Sequence, residues 1–235
     1  MIISHTHRYI FIKSRKTAGT SVEVALSKHC SNGDMVTSLE DYWFNRDERG
    51  EWLHSSMNAE GFFQHDPADE VKRKVSPEIW NKYFKFSIAR NPWDRVVSDF
   101  AWQARNKAEM KSVKRWYHRL GVPSDEFRET TKLFRRFVAG EWKTHDRFYV
   151  MKGELCVDFV IRFERLNEDL AEVCRRVGLP TLDLPHLKSG LRQGGRSYAE
   201  YYDEPSKAIV ADRHHNDIRL FGYEFDRVFS PTKLK

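Results

Sequence analysis

The sequence predicts an α/β fold in a single domain: a central parallel sheet flanked by helices, with a P-loop-like strand–loop–helix unit near its start. Three observations carry this expectation. Short β-rich apolar runs stand at Tyr9–Ile12, Phe84–Ala89 and Asp158–Arg162. Each is followed by a turn and then by a stretch with helical apolar spacing. Strand, loop and helix repeated in that order put parallel strands side by side and lay the helices on the faces of the sheet. At 235 residues and 40% hydrophobic content, the chain fits one sizeable core better than two small ones.

The elements follow in order. Tyr9–Ile12 is short and wholly apolar, as a buried central strand is. Val22–Ser27, with Val22, Ala25 and Leu26 on one face, reads as the helix after it. Phe84–Ala89 (FKFSIA) alternates apolar and polar residues and leads through Asn91-Pro92 into a helix from Trp93 to Ala104. Asp158–Arg162 precedes a helix from Asn167 to Val177 that stops at Gly178. Residues 104–147 form a helical insertion rich in Lys, Arg and aromatics, as in KSVKRWYHRL and KLFRRFVAGEW. They read as a solvated face beside a core stripe. Residues 31–80 and 180–205 are irregular, and the tail SPTKLK is frayed.

Composition narrows the function classes. A net charge of +6 and a pI near 9.2 favour anionic partners such as nucleic acid, acidic lipid, a nucleotide or an acidic glycan. Cys30, Cys156 and Cys174 are scattered, without a CxxC pair, so neither a disulfide framework nor a zinc knuckle is encoded. The start MIISHTHRYIFI lacks the apolar core of a secretion signal, and no run reaches the ~18 apolar residues of a membrane span. The expectation is a cytoplasmic protein with no membrane partner.

The stretch FIKSRKTAGTS, residues 11–21, is where chemistry concentrates. A strand feeding a tight turn and a helix aims backbone N–H groups, and the positive end of the helix dipole, at whatever lies in the turn. Arg15, Lys16, Thr17, Ala18, Gly19, Thr20 and Ser21 form the loop: two full charges, three hydroxyl donors and one glycine for close backbone approach. It is not the GxxxxGK[ST] loop of ATPases, because Lys16 precedes Gly19, nor is it GxGxxG.

A companion segment is SIARNPWDRVVSDFAW, residues 87–102. Arg90 falls at the end of a predicted strand, where ligands of open α/β sheets bind. Asn91 is placed to cap the next helix, Pro92 to open it and Asp94 to complement its dipole. Ser98 lies four residues past Asp94 on the same face. A strand-end arginine and a helical serine suit a second phosphate.

Together, KTAGTS and RNPWDRVVS resemble the motifs of sulfotransferases that use 3′-phosphoadenosine-5′-phosphosulfate (PAPS), most closely the carbohydrate-type and bacterial branch with PKTAGTS and RNPWDRxVS. Flanking similarity continues in YFKF, RFERLNEDL, LPHL and YAEYYD…DIRLFGYEF, so it runs from residue 9 to residue 225. The resemblance implies that the first loop holds the 5′-phosphosulfate, with Lys16 at the leaving phosphate, and that Arg90 and Ser98 hold the 3′-phosphate. The spent cofactor is then adenosine 3′,5′-bisphosphate (PAP). The segment at 188–198 resembles the family's cofactor-covering loop, with Arg192, Arg196 and Tyr198 as candidates. This chain departs from the family at Arg15, where a proline is usual, and residues 40–64 have no counterpart.

Sulfuryl transfer to a hydroxyl or amine needs in-line positioning, charge stabilisation and a base with a pKa near neutrality. His65, in QHDPADEV, is the chosen catalytic base, with His54 second and His145 third. Asp66 and Glu70 are candidates to orient its ring. Arg162 reads as structural, paired with Glu164 or Asp169. No metal is expected. The acceptor is a small molecule or glycan, nucleic acid is not an expected partner, and oligomeric state stays open. Two other classes compete. A P-loop phosphotransferase would need Walker spacing and a magnesium carboxylate. A basic nucleic-acid module would leave both phosphate motifs unexplained.

Overall fold

The computed structural model of the chain describes residues 1–39, 56–109, 123–141, 143–184 and 197–226. In chain order the elements begin β1 (Ile2–Ser4), β2 (Tyr9–Phe11), α1 (Gly19–Ser27), β3 (Met35–Val36), α2 (Ala68–Lys74) and α3 (Pro77–Lys82). They continue with β4 (Phe84–Ala89), α4 (Pro92–Glu109), α5 (Pro123–Ala139), β5 (Val150–Met151) and β6 (Glu154–Leu155). β7 (Phe159–Arg162), α6 (Leu166–Val177), α7 (Glu204–Arg213) and α8 (His215–Phe221) complete the set. The described residues group into two compact units, one from Met1–Arg90 and His145–Ser189, the other from Asn91–Thr144 and Gly190–Val228.

The first unit is built on a five-stranded sheet of order β3-β1-β2-β4-β7. Its centre is parallel, as the sequence predicts: Phe11 pairs with Phe86, and Ile88 with Ile161. The other edge corrects the expectation, because β1 runs antiparallel to both β2 and β3. The short turn from Ser4 to Tyr9 explains it, since so few residues permit only a hairpin. Phe11 and Phe86 stack at 5.1 Å within a core that also takes Val22, Leu26, Leu170 and Val173.

The alternation in β4 does not mark a solvent-facing side. Its polar positions do not face water: Ser87 is fully buried and Lys85 nearly so. Ser87 Oγ donates to the Ile12 carbonyl at 2.7 Å, while Lys85 Nζ donates to Tyr83 O at 2.9 Å and meets Asp158 at 2.7 Å. A central strand is covered on both faces, so its polar groups must find protein partners. Helix α6 ends as foreseen. Gly178 adopts φ 71° and its N–H donates to the Cys174 carbonyl, a left-handed C-cap that glycine adopts without strain.

The region at 31–80 is less irregular than expected. It holds β3, α2 and α3, and the last opens with Ser76 accepting from the Ile79 N–H and Pro77 in the first turn. That Ser-Pro-Glu start is a legible capping signal. Likewise within 180–205, Ser197 and Glu200 form a capping box over the single 3₁₀ turn Tyr198–Tyr201.

The second unit is helical. Trp93, Val96 and Val97 of α4 share a core with Phe134 and Val138 of α5, Val210 of α7 and Tyr223. Arg135 and Arg136 point outward, so the last turns of α5 are a solvated basic face beside an apolar stripe, as read from the sequence. Arg213 Nη1 donates to the Val138 and Gly140 carbonyls at 2.9 and 2.7 Å, closing the C-terminal end of α5. Among the described residues, no helix is long and apolar enough to cross a membrane.

Candidate functional site

The chain leaves β2 through Ile12, whose N–H still donates to the Phe86 carbonyl at 2.9 Å. Ser14 Oγ then donates to the Ile88 carbonyl at 2.5 Å and lies 2.8 Å from Thr17 Oγ1. The turn is therefore tied to β4 and to itself. Thr17 is fully buried by this contact, so its hydroxyl braces the loop where the sequence suggested an anion donor.

Two residues in the loop carry left-handed backbone, Lys16 at φ 60° and Ala18 at φ 61°. Each costs a non-glycine residue roughly 1–2 kcal/mol, which the surrounding contacts must sustain. Left-handed residues in such a turn fold successive N–H groups toward one concavity. Gly19, by contrast, is needed for space. A Cβ there would stand 2.9 Å from Lys13 Cγ and 3.2 Å from Ser14 O. Helix α1 begins at Gly19, three residues earlier than Val22, and its first turn carries no acidic residue to cancel the positive helix end. Arg15 is exposed, Lys16, Ala18 and Thr20 are half-buried and Ser21 is buried.

Beneath the loop lies a buried charged cluster that sequence reasoning missed. Lys13 Nζ donates to Glu23 Oε2 at 2.5 Å and to Gln64 Oε1 at 2.8 Å, and Lys13 and Glu23 are 2% and 0% exposed. Glu23 Oε1 accepts from Thr37 Oγ1 at 2.9 Å and from the Met1 nitrogen. Burial alone would raise the Glu23 carboxyl, but the positive charges at Met1 and Lys13 bring it down to about 2. The available signal was a lysine inside an apolar strand end and a glutamate between two core valines, which can be buried only as partners.

His65 belongs to the same cluster. Its Nδ1 lies 2.9 Å from the Lys13 carbonyl. A carbonyl only accepts, so Nδ1 carries the proton and Nε2 keeps the lone pair. Burial, reinforced by the charges of Lys13 and Arg15, lowers the ring to about 3 and holds it neutral. Asp66 and Glu70 do not orient it: Asp66 accepts from the Phe63 N–H and Lys74, and Glu70 pairs with Arg73 and Lys74. The orienting group is the Lys13 carbonyl. Phe148 packs edge-on to His65 at 6.4 Å and to His145, itself buried, at 5.4 Å. His54, Arg192 and Arg196 lie outside the described residues.

Arg90 follows directly on β4, as predicted. Its Nη1 donates to the Lys16 carbonyl at 2.8 Å, and its guanidinium stands 4.2 Å from the Phe163 ring centroid, just past β7. The carboxyl ends of three neighbouring parallel strands thus contribute the loop, the arginine and its aromatic seat. Arg162 is structural through its backbone N–H, which donates to Asp169 Oδ2 at 2.9 Å; the side chain near Asp169 is Arg165, at 3.8 Å.

Ser98 lies in the second unit, half-buried on α4. Asn91 caps that helix as expected, its Oδ1 accepting from the Trp93 and Asp94 N–H groups at 3.0 and 3.4 Å. One turn before Ser98, Arg95 Nη2 donates to His214 Nε2 at 2.7 Å, and His214 Nδ1–H donates to Asp217 Oδ2 at 2.7 Å. This buried relay ties α4 to α8. Tyr198 is a core residue of this unit, its hydroxyl donating to the Phe225 carbonyl.

A model of the sulfotransferase family matches residues 1–224. The chain belongs to the sulfotransferase family. Among its relatives, carbohydrate sulfotransferase 10 of Xenopus laevis is 23% identical, the match covering 95% of this chain and 67% of the relative. An uncharacterized protein of Archaeoglobus fulgidus is 26% identical over 48% of this chain and 83% of its own. No solved structure is a significant match. For a sulfotransferase, a cationic loop free of acidic residues in the helix turn that follows, and a histidine anchored to the stem of that loop, are the groups with chemistry to offer.

Proposed function

We propose that this sulfotransferase moves a sulfuryl group from PAPS to a hydroxyl, or amine, of a glycan or small-molecule acceptor. One observation carries the reading: the Lys13 stem that leads into the Lys16 loop also accepts the Nδ1–H of a neutral His65. An anion loop and a proton acceptor are thereby held in one rigid piece of the first unit.

The donor set fits a nucleotide phosphosulfate. Arg15, Lys16, Thr20, Ser21 and the N–H groups from Thr17 to Gly19 offer charge and hydrogen bonds to the 5′ end, and on the motif alone Arg90 and Ser98 take the 3′-phosphate. When bound, PAPS supplies the sulfuryl group. Lys16 compensates the negative charge that grows on the departing 5′-phosphate oxygen as its bond to sulfur breaks. His65 Nε2 takes the proton from the acceptor hydroxyl as the oxygen forms its bond to sulfur. The ring is neutral at physiological pH. Lowered to about 3, however, it is a weaker base than the near-neutral one this chemistry calls for, so the role rests on its place beside the loop stem and not on its basicity. A glycan acceptor is favoured by the likeness to a carbohydrate sulfotransferase.

Thermal unfolding with PAP tests this proposal. PAP at saturating concentration stabilises the protein and ATP does not. Stabilisation by ATP with none by PAP refutes the reading in favour of a phosphotransferase.

A further inference from the structure

The motif gives Arg90 one task, the 3′-phosphate, but the guanidinium is already engaged with the first loop. Its Nη1 donates to the carbonyl of Lys16 at 2.8 Å. Lys16 is one of the two left-handed residues of the loop, and the position of its peptide fixes where the following N–H groups point. Meanwhile Phe163 presents its ring to the guanidinium at 4.2 Å from the centroid, a cation–π distance. These contacts bring together residues that follow β2, β4 and β7, and β4 pairs in parallel with both of its neighbours.

We propose that Arg90 is a strut of the 5′-phosphate loop, seated by Phe163, so that one guanidinium both meets the 3′-phosphate and holds the shape of the loop that takes the 5′ end. The inference rests on the PAPS reading above and adds two things to it. Phe163 becomes a positioning residue for nucleotide recognition. The two phosphate ends become coupled through Arg90, since any force that re-aims the guanidinium is felt at the Lys16 peptide. Arginine suits both tasks because its planar, five-donor fork spans two acceptors, which the single ammonium of lysine does not.

A nucleotide that lacks the 3′-phosphate separates strut from phosphate ligand. Adenosine 5′-monophosphate and PAP are titrated into wild type, Arg90→Ala, Phe163→Leu and Phe163→Tyr. Loop amide resonances report dissociation constants into the millimolar range, and circular dichroism confirms folding. If Arg90 served only the 3′-phosphate, its loss would leave 5′-monophosphate affinity untouched. The strut predicts a loss of roughly tenfold for the monophosphate in Arg90→Ala, the scale of a charged hydrogen bond. Phe163→Leu loses roughly threefold to tenfold for both nucleotides, and Phe163→Tyr, which keeps the ring face, restores wild-type affinity. Wild-type monophosphate affinity in both Arg90→Ala and Phe163→Leu, with PAP still bound by wild type, overturns the strut and leaves the PAPS reading standing. A wild-type protein that binds neither nucleotide overturns the PAPS reading, and the strut with it.

Discussion

Removing the titration of His65 should remove a defined slice of the acid sensitivity of this protein. The ring is lowered to about 3 in the folded chain, from the ordinary 6.5, first by burial and then by the charge of Lys13. Between those values the unfolded chain binds a proton that the folded chain refuses, so stability falls as the pH falls through that window. Each pH unit below 6.5 is worth about 1.4 kcal/mol, which amounts to roughly 2 kcal/mol at pH 5 and almost nothing at pH 7. Glutamine at position 65 keeps an amide donor for the Lys13 carbonyl and does not titrate. Urea unfolding of wild type and His65→Gln at pH 7, 6 and 5 then isolates the term, because every other titrating group is common to both. The free-energy difference between them should shift by about 2 kcal/mol in favour of the variant from pH 7 to pH 5. Parallel stability profiles would show that the ring titrates normally and is not held neutral by burial beside Lys13.

The buried Lys13–Glu23 pair makes a second prediction. Lys13→Met leaves the buried Glu23 carboxylate without its lysine and costs about 3–5 kcal/mol in urea unfolding. Adding Glu23→Leu recovers only part of that loss, because the Met1 nitrogen and the Thr37 hydroxyl then lose their partner. Lys16→Ala should cut sulfuryl transfer by roughly 10²–10³-fold in a radiolabelled PAPS assay, with its urea midpoint unchanged; an unimpaired variant takes the lysine out of the mechanism. Gly19→Ala pushes a methyl against Lys13 Cγ and the Ser14 carbonyl, at 2.9 and 3.2 Å from the ideal Cβ. It should destabilise by about 1–3 kcal/mol and weaken PAP binding in calorimetry, whereas stability and affinity equal to wild type would show that the loop yields freely.

Much of the frame was legible because it depends on local signals. β2, β4 and β7 each stand within two residues of their predicted limits, and α6 was marked by apolar spacing ending at a glycine. The antiparallel β1 was missed because no helix follows it, so the strand–loop–helix repeat that marked β2, β4 and β7 is absent there. α3 was missed although its Ser-Pro-Glu start was there to be read. The alternation of FKFSIA marked β4 as a strand but could not reveal that both of its faces are covered, with Ser87 and Lys85 buried.

The sequence by itself determined the chemistry on offer: a basic, hydroxyl-rich loop between strand and helix, an arginine at a strand end, a capped helix carrying Ser98, and histidines to choose among. Those are properties of residue type and spacing. Tertiary structure alone decided which groups share a partner. It turned the Thr17 hydroxyl inward, moved the orienting task for His65 from Asp66 or Glu70 to the Lys13 carbonyl, and buried Lys13 against Glu23. It also set Arg90 between Phe163 and the Lys16 carbonyl. Such contacts join residues as far apart as positions 13 and 65, or 16, 90 and 163, and a chain brings them together only when its parallel strands end side by side.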